Sequence, residues 1–402
     1  CELEILLAPS DALAKARVLG LGKAYIGLAN AAGAIYTNPA GLAEVTGWQF
    51  SSMSGKFLDE YSYLSASGLY PTPFGTIGIG FAGTSIGGAW ATTVEADSDP
   101  DDPIYTIDTS QPQMGNTNNA IVLSYGNQAA NIPYIMKAPF ADRIALGANL
   151  KLFKASLSGD SIVNGDASGT ELDLGFKFSP PQKWLKLGVA AQNILPSAMG
   201  GKLKYTSGHE ESYPSVIETG VALSLLGKEN SILKLGEHEL RLMADFDYRP
   251  TLSSYPVVWH IGAEWKPLSI IALRAGIDQD TAGDGAGNLG VVSDATYGVG
   301  LFFGGFAFDY AYHTFGGAPN IDNHFFSLSY AFQPPITASI KEPILVISPA
   351  DKLITFESNV PVSGIVADTR IRTLLVKGVP LKFDLKGNFL TTAELKIGKN
   401  AL

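Results

Sequence analysis

The chain has 402 residues and a net charge of −10, and only 16% of its residues are charged, against roughly a quarter in soluble domains. The acidic balance leaves no basic stripe to displace phosphate counterions, which argues against nucleic acid as a partner, and a single cysteine excludes an internal disulfide or a CxxC metal site. No run of about 18 apolar residues occurs, so no helix is predicted to span a bilayer; a closed β-barrel with alternate side chains in lipid remains open to so weakly charged a chain.

Residues 1–45 precede the first predicted strand, and from Ile5 to about Val45 they are predicted to form a plug. Arg17-Val-Leu-Gly-Leu-Gly-Lys-Ala-Tyr25 leads through a Gly- and Ala-rich stretch to Asn38-Pro-Ala-Gly-Leu42. It is too interrupted for an amphipathic helix, and its small residues suit backbone passing close to backbone. Arg17, Gly20, Gly22, Tyr25, Asn38, Pro39 and Ala40 are the candidate plug residues. Asn-Pro starts turns, so Asn38 is expected to bond local backbone and hold the plug against the wall, with substrate contact as the alternative. Cys1 fits either a lipidated mature terminus or a start set by processing.

Fourteen strands are predicted where apolar or aromatic residues alternate with small or polar ones. They lie near 48–57, 61–70, 74–84, 118–126, 143–157, 168–178, 184–195, 215–225, 239–248, 257–265, 269–277, 295–303, 306–313 and 324–332. The expected fold is all-β: a closed antiparallel transmembrane barrel of about 14 strands over residues 46–333, with an N-terminal plug. Taking the first strand as running outward, Pro71-Thr-Pro73, Ser179–Lys183, Lys266-Pro-Leu268 and Gly304-Gly305 are short inner turns. The longest outer connections are 85–117, 196–214 and 278–294. Two inner connections, 127–142 and 226–238, break the rule of short turns and call for a short helix or a different strand count.

The period of two assigns faces. Leu146, Ala148, Leu150 and Leu152 form an outward row opposite Asn149 and Lys151, and Leu172, Leu174 and Phe176 oppose Glu171, Asp173 and Lys177. Tryptophans and tyrosines near strand ends suit interfacial girdles. The interior is thus predicted to carry both signs: Lys151, Lys177, Arg241 and Arg274 against Glu171, Asp173, Asp245, Asp247, Glu264 and Asp309. Such charges are expected to pair with one another and with the plug, a substrate path being the sharper alternative.

Pro334-Pro335 breaks the pattern, and from Ile336 short strands are predicted around 353–358, 360–366, 373–377, 380–384 and 390–396. This spacing reads as an Ig-like β-sandwich over 336–402, about two strands short of the usual seven.

Glu95–Asp102 and Asp278–Asn288 are predicted on extracellular loops. In the second, Asp278, Asp280, Asp284 and Asn288 supply oxygen ligands with intervening glycines, a partial match to a calcium loop that lacks the Glu at its twelfth position; a solvated loop is the alternative. Calcium there is the sole cofactor suggested. No GxSxG, HExxH or Walker motif occurs and the five histidines are scattered, so no enzyme is expected.

The Arg17–Tyr25 run followed by Asn38-Pro-Ala-Gly-Leu42 resembles the N-terminal signature of the PorV/PorQ group of outer-membrane proteins, themselves similar to FadL-type transporters of hydrophobic compounds. The likeness spans roughly residues 12–333 and implies a fourteen-stranded barrel in the bacterial outer membrane. Acidic residues often precede the Ile-Tyr-x-Asn-Pro-Ala run in that group; here Asn30-Ala-Ala-Gly-Ala34 stands instead. The resemblance implies a protein-binding component of an export or surface-attachment system of the type IX secretion kind. The lipid bilayer and a protein of the secretion or surface complex are then its partners, with a periplasmic partner on the C-terminal domain. A FadL-like passive transporter is the alternative, weakened by a mixed-charge lumen, and a structural subunit of a surface assembly is the third reading.

Overall fold

The computed structural model describes residues 15–332 except 58–60, 96–97, 100–101, 111–112, 160–161, 163, 237, 253, 284–288 and 315–322, and beyond them 344–348, 359–366, 374–376, 379–382, 384 and 388–394. Cys1 and the predicted strand at 353–358 lie outside the described residues. The chain divides into two compact units, residues 1–333 and 334–402.

The first unit is a closed antiparallel barrel of fourteen strands. They are β1 (Gln49–Phe57), β2 (Tyr61–Thr72), β3 (Gly75–Ala89), β4 (Met114–Gln128), β5 (Ile144–Ser158), β6 (Asp166–Phe178) and β7 (Leu185–Gln192). The second half comprises β8 (Val216–Gly227), β9 (Glu239–Tyr248), β10 (Val258–Leu268), β11 (Ile271–Gly283), β12 (Leu289–Phe303), β13 (Phe306–His313) and β14 (Asn323–Ala331). Each pairs with its neighbour, and β14 returns to β1 in the register Gln49↔Ala331 to Lys56↔His324. Closure leaves no unpaired edge around the wall. The strand count agrees with the sequence reading.

Alternation explains which side chains go where. On β5, Asn149, Lys151 and Phe153 are buried while Leu150 and Leu152 are 40% and 41% exposed. Ile77, Ile121, Leu174, Ile261, Val299 and Leu328 continue this apolar row around the outside. Burying such a side chain is worth about 1.5–3 kcal/mol, so a belt of them is stable only where the surroundings are themselves apolar. At the end carrying the short turns, aromatics gather: Trp48 stacks on Phe332 at 5.9 Å and Phe306 lies 4.7 Å from Tyr330. Phe332 also donates its backbone N–H to Trp48, closing the seam.

The turn end has two-residue connections between β2 and β3, β10 and β11, and β12 and β13. The last is Gly304-Gly305, with φ +57° and +87°, as a tight hairpin matching strand twist requires. The long inner connection after β4 holds two single-turn 3₁₀ helices, Ala129–Asn131 and Ala141–Arg143, and leaves the strand count intact.

Three outer connections differ from expectation. The 85–117 loop gives up residues to β3 and β4 and contains its own hairpin, Ala91–Val94 with Tyr105–Asp108. The 196–214 loop adds a strand, Leu203–Tyr205, to the outer end of β6, where β7 is too short to pair. The 278–294 stretch is mostly wall: Asp278 to Gly283 pair with Asp294 to Leu289. A ladder needs only backbone, so strands can continue with polar side chains, and such residues read as loop in the sequence.

In the second unit, Ile344–Ser348, Asn359–Val366 and Asn388–Glu394 form a three-stranded antiparallel sheet. Val362, Val366, Phe389 and Ala393 are its buried core. Leu374–Val376 and Val379–Leu381 form a separate hairpin.

Candidate functional site

The plug fills the barrel from inside. Its described part runs from a short helix, Ala16–Leu19, through two 3₁₀ segments, Ala31–Ile35 and Pro39–Glu44. Val18, Leu21, Tyr25, Ile35 and Leu42 are buried. Glycines on the inner rows of successive strands make room for it. A Cβ on Gly147 of β5 would lie 2.2 Å from Pro39, one on Gly188 of β7 2.3 Å from the Ile26 carbonyl, and one on Gly262 of β10 2.4 Å from that of Leu21. The plug reciprocates: Gly22, at φ +60°, passes within 2.6 Å of the Ile277 carbonyl measured from its ideal Cβ, and Gly20 faces Gly298. Side chains at these contacts would hold the plug and wall apart.

Polar groups then fix the seat. Arg17 binds Glu264 through Nε and Nη2 at 2.8 and 2.9 Å, and its Nη1 reaches Asn30 at 3.0 Å. The Tyr25 hydroxyl donates to Asn30, and Asp245 accepts the backbone N–H groups of Tyr25 and Ile26. Asn38 has two roles. Its Oδ1 accepts from Ala40 N at 3.1 Å, capping the 3₁₀ segment that Pro39 begins, and its Nδ2 donates to the Ile26 and Phe176 carbonyls.

Of the ten charges predicted for the lumen, eight lie there in three groups, while Asp245 holds the plug backbone and Asp247 pairs with His260. Glu264 also takes Arg274 at 2.8 Å and Arg241 at 3.4 Å, and Arg274 bridges to Asp309 at 2.8 Å. Lys177 joins Lys186 on Glu44, the last residue of the plug's second 3₁₀ segment. Burial pushes the Glu44 carboxyl up, but the two ammonium groups more than offset this and hold it below the usual carboxylate range. Lys151 pairs with Asp173 at 2.7 Å, while Asp173 and Glu171 accept backbone N–H groups of Asn193 and Leu195. That group ties the outer loop, not the plug. Lys186 and Glu44 are members that sequence reasoning missed, as is Lys23, which pairs with Asp278; the two on the plug carried no periodic signal.

Asp278 requires a correction. It lies in β11, 2% exposed, facing the lumen. Plug Lys23 is 3.0 Å from its Oδ2, His313 Nε2 is 2.8 Å from the same oxygen, and His260 Nδ1 lies 2.7 Å from Oδ1, off the line of a hydrogen bond. His260 also reaches Asp247 at 3.1 Å. Its carboxylate is thus held by side chains of plug and wall, and it stands in a strand, not on the outer loop where the sequence reading put it. Asp280 is on the same strand, exposed, its Oδ1 turned back to the N–H of Thr281; Asp284 and Asn288 lie outside the described residues. Among the described residues, no group of three His, Cys, Asp or Glu is placed to hold a metal.

The distribution of charge is one-sided. Each of β5 to β13 carries at least one Asp, Glu, Lys, Arg or His on its inner row, whereas the inner rows of β14 and β1 to β4 carry none among the described residues. There Met53, Tyr63, Leu69, Ala82, Val122 and Phe325 pack in one core with the plug's Ile35 and Tyr36. Tyr36 reaches the wall and donates toward the Ala66 and Phe81 carbonyls at 3.0 Å. On the outside of this sector, an apolar groove of about 1000 Å³ runs among Phe50, Tyr70, Ile77, Ile79, Leu123 and Leu150. Gly78 separates the groove from Ile35, whose Cδ1 would be 3.2 Å from a Cβ at that position.

Solved structures share this architecture. A monoaromatic hydrocarbon channel, the TodX deltaS2S3 mutant, is 14% identical, with 79% of this chain and 99% of that one covered and a TM-score of 0.52. The CymD monoaromatic hydrocarbon channel is 11% identical over 81% and 99% of the two chains, with a TM-score of 0.50. The toluene transporter TbuX of Ralstonia pickettii is 12% identical over 78% and 98%, at 0.48. The likeness is one of fold. The chain matches no family model and no curated protein sequence.

Proposed function

We propose that the chain is a FadL-type barrel of the bacterial outer membrane that passes hydrophobic small molecules, monoaromatic hydrocarbons among the candidates. The observation that carries this is the uncharged sector from β14 to β4. The mixed charge that weighed against such a ligand is confined to the opposite wall, where it is tied to plug and loop, so an apolar molecule can follow the plug's Ile35 face without meeting a buried charge. The outer groove behind Gly78 gives the same sector an apolar surface on the bilayer side, and two barrels of similar fold, the TodX deltaS2S3 mutant and CymD, are monoaromatic hydrocarbon channels. The experiment is uptake of a labelled monoaromatic hydrocarbon by cells making the chain. A gain over control cells that is lost with Val122→Asp supports the reading; uptake equal to control cells overturns it.

A second reading, attachment of an exported protein in the PorV manner, is favoured by the outer hairpin, where Val94, Ile104, Tyr105 and Ile107 are each more than half exposed. Isolation of the native complex tests it: a stoichiometric secretion component should accompany the barrel and be lost on replacing Ile104 and Ile107 by Ser. In either case the chain leaves the barrel at the turn end, so the 334–402 unit, which we take as Ig-like, would be periplasmic.

A further inference from the structure

The connection from β4 to β5 is the longest at the turn end, and its middle is apolar. From Pro133 to Pro139 the sequence is Pro-Tyr-Ile-Met-Lys-Ala-Pro, followed by Phe140. Tyr134 is 99% exposed, Met136 55% and Phe140 59%. The segment is nonetheless ordered by its own backbone: Met136 bonds back to Ile132, Ala138 to Ile135 and Arg143 to Phe140. Tyr134 and Phe140 both take left-handed backbone, φ +74° and +63°, which bulky residues rarely adopt. The loop thus holds its large side chains outward.

Its root places it. Asn131 donates to Asn127, and Asn127 and Tyr125 both donate to the Phe74 carbonyl in the β2–β3 turn. Phe74 itself is 81% exposed. Tyr70, Tyr125, Trp48 and Phe306 mark the aromatic rim at this end of the apolar belt, the level at which such rings meet a membrane interface. The loop begins one residue past β4 and is continuous with that rim. Its cations suit anionic headgroups: Lys137 stands amid the apolar run, and the Arg143 guanidinium lies 5.6 Å from the Phe140 ring centre.

We infer that residues 132–140 are a membrane-surface anchor, with Tyr134, Ile135, Met136 and Phe140 seated in the interface of the leaflet at the turn end and Lys137 among its phosphates. The inference rests on the reading that the outer rows face lipid. It fixes the depth of the barrel at one of the two inner connections that break the rule of short turns.

The test labels single cysteines with an environment-sensitive fluorophore, in the full chain carrying Cys1→Ser, reconstituted in phosphatidylglycerol-containing vesicles with nitroxide quenchers at shallow or deep acyl positions. Met136→Cys should be quenched by the shallow probe and show a blue-shifted emission, and Leu150→Cys, on the outer row of β5, by the deep probe. Quenching at Leu150 without quenching at Met136 overturns the anchor while the membrane reading stands, and leaves this face to a protein. Absence of quenching at both sites overturns the membrane reading and the anchor with it.

Discussion

Arg17 and Glu264, 247 residues apart, meet in a two-pronged ion pair in which each carboxylate oxygen takes a guanidinium N–H. Glu264 is 1% exposed and shared with Arg274 and Arg241. One carboxylate on β10 therefore joins the plug's first helix to a network reaching β13.

Removing the guanidinium tests how much the plug depends on that join. Breaking a buried pair by deleting one partner costs about 3–5 kcal/mol. Because Glu264 keeps two other guanidiniums, Arg17→Ala should fall at the low end, read as a lower chemical-unfolding midpoint of the detergent-folded protein. Arg17→Lys keeps the charge and one prong and should lie between. The double change Arg17→Ala with Glu264→Gln should cost less than the sum of the two single changes.

The plug's fit against the wall is tested by adding a single methyl. Gly147→Ala puts a Cβ 2.2 Å from the Pro39 backbone, a contact that only movement of the plug can relieve. Overpacking of this kind costs about 1–3 kcal/mol, and increased protease cleavage between residues 15 and 45 should accompany the lost stability. Gly87→Ala, where a Cβ meets nothing within 4 Å, should change neither quantity.

Acid should loosen the plug's far end. The folded-state pKa of Glu44 is depressed by Lys177 and Lys186, so its contribution is fully present above the unfolded carboxylate value, about 4.3, and is lost as pH falls through the folded value below it. The wild-type midpoint should therefore drop below that pH, and Glu44→Gln, already lacking the ionised group, should show a shallower acid limb. Identical limbs in the two proteins would remove Glu44 as the cause.

Much of this architecture is written in alternation. The rows through Leu150 and Leu174 are legible because lipid-side and lumen-side residues differ in kind, and the run from Gly20 to Gly41 is legible as chain that must pass close to something. What it passes was hidden: Gly147, Gly188 and Gly262 look like ordinary strand glycines until the register aligns them on one seat. The sector from β14 to β4 was hidden too, since absence of charge from the inner rows of five strands shows only when the barrel is closed and the charged strands fall together. His260 and His313 were both visible on polar rows, but they stand on β10 and β13 and meet only through Asp278 on β11, a contact across strands that no local pattern encodes.

Asp278 supplies the last test, because the two accounts of it predict different responses to metal. As a calcium ligand it would stabilise the protein only with the ion present. As the carboxylate facing Lys23, His260 and His313 it acts with side chains alone, and Asp278→Asn removes the charge that the partly exposed Lys23 and the two histidines share, at a cost below the ~3–5 kcal/mol of a fully buried pair. The unfolding midpoint of the unaltered protein should be the same in millimolar calcium and in excess chelator, and Asp278→Asn should lower it equally in both. A loss confined to the calcium-containing sample would return the ion to Asp278 and displace Lys23 from its role.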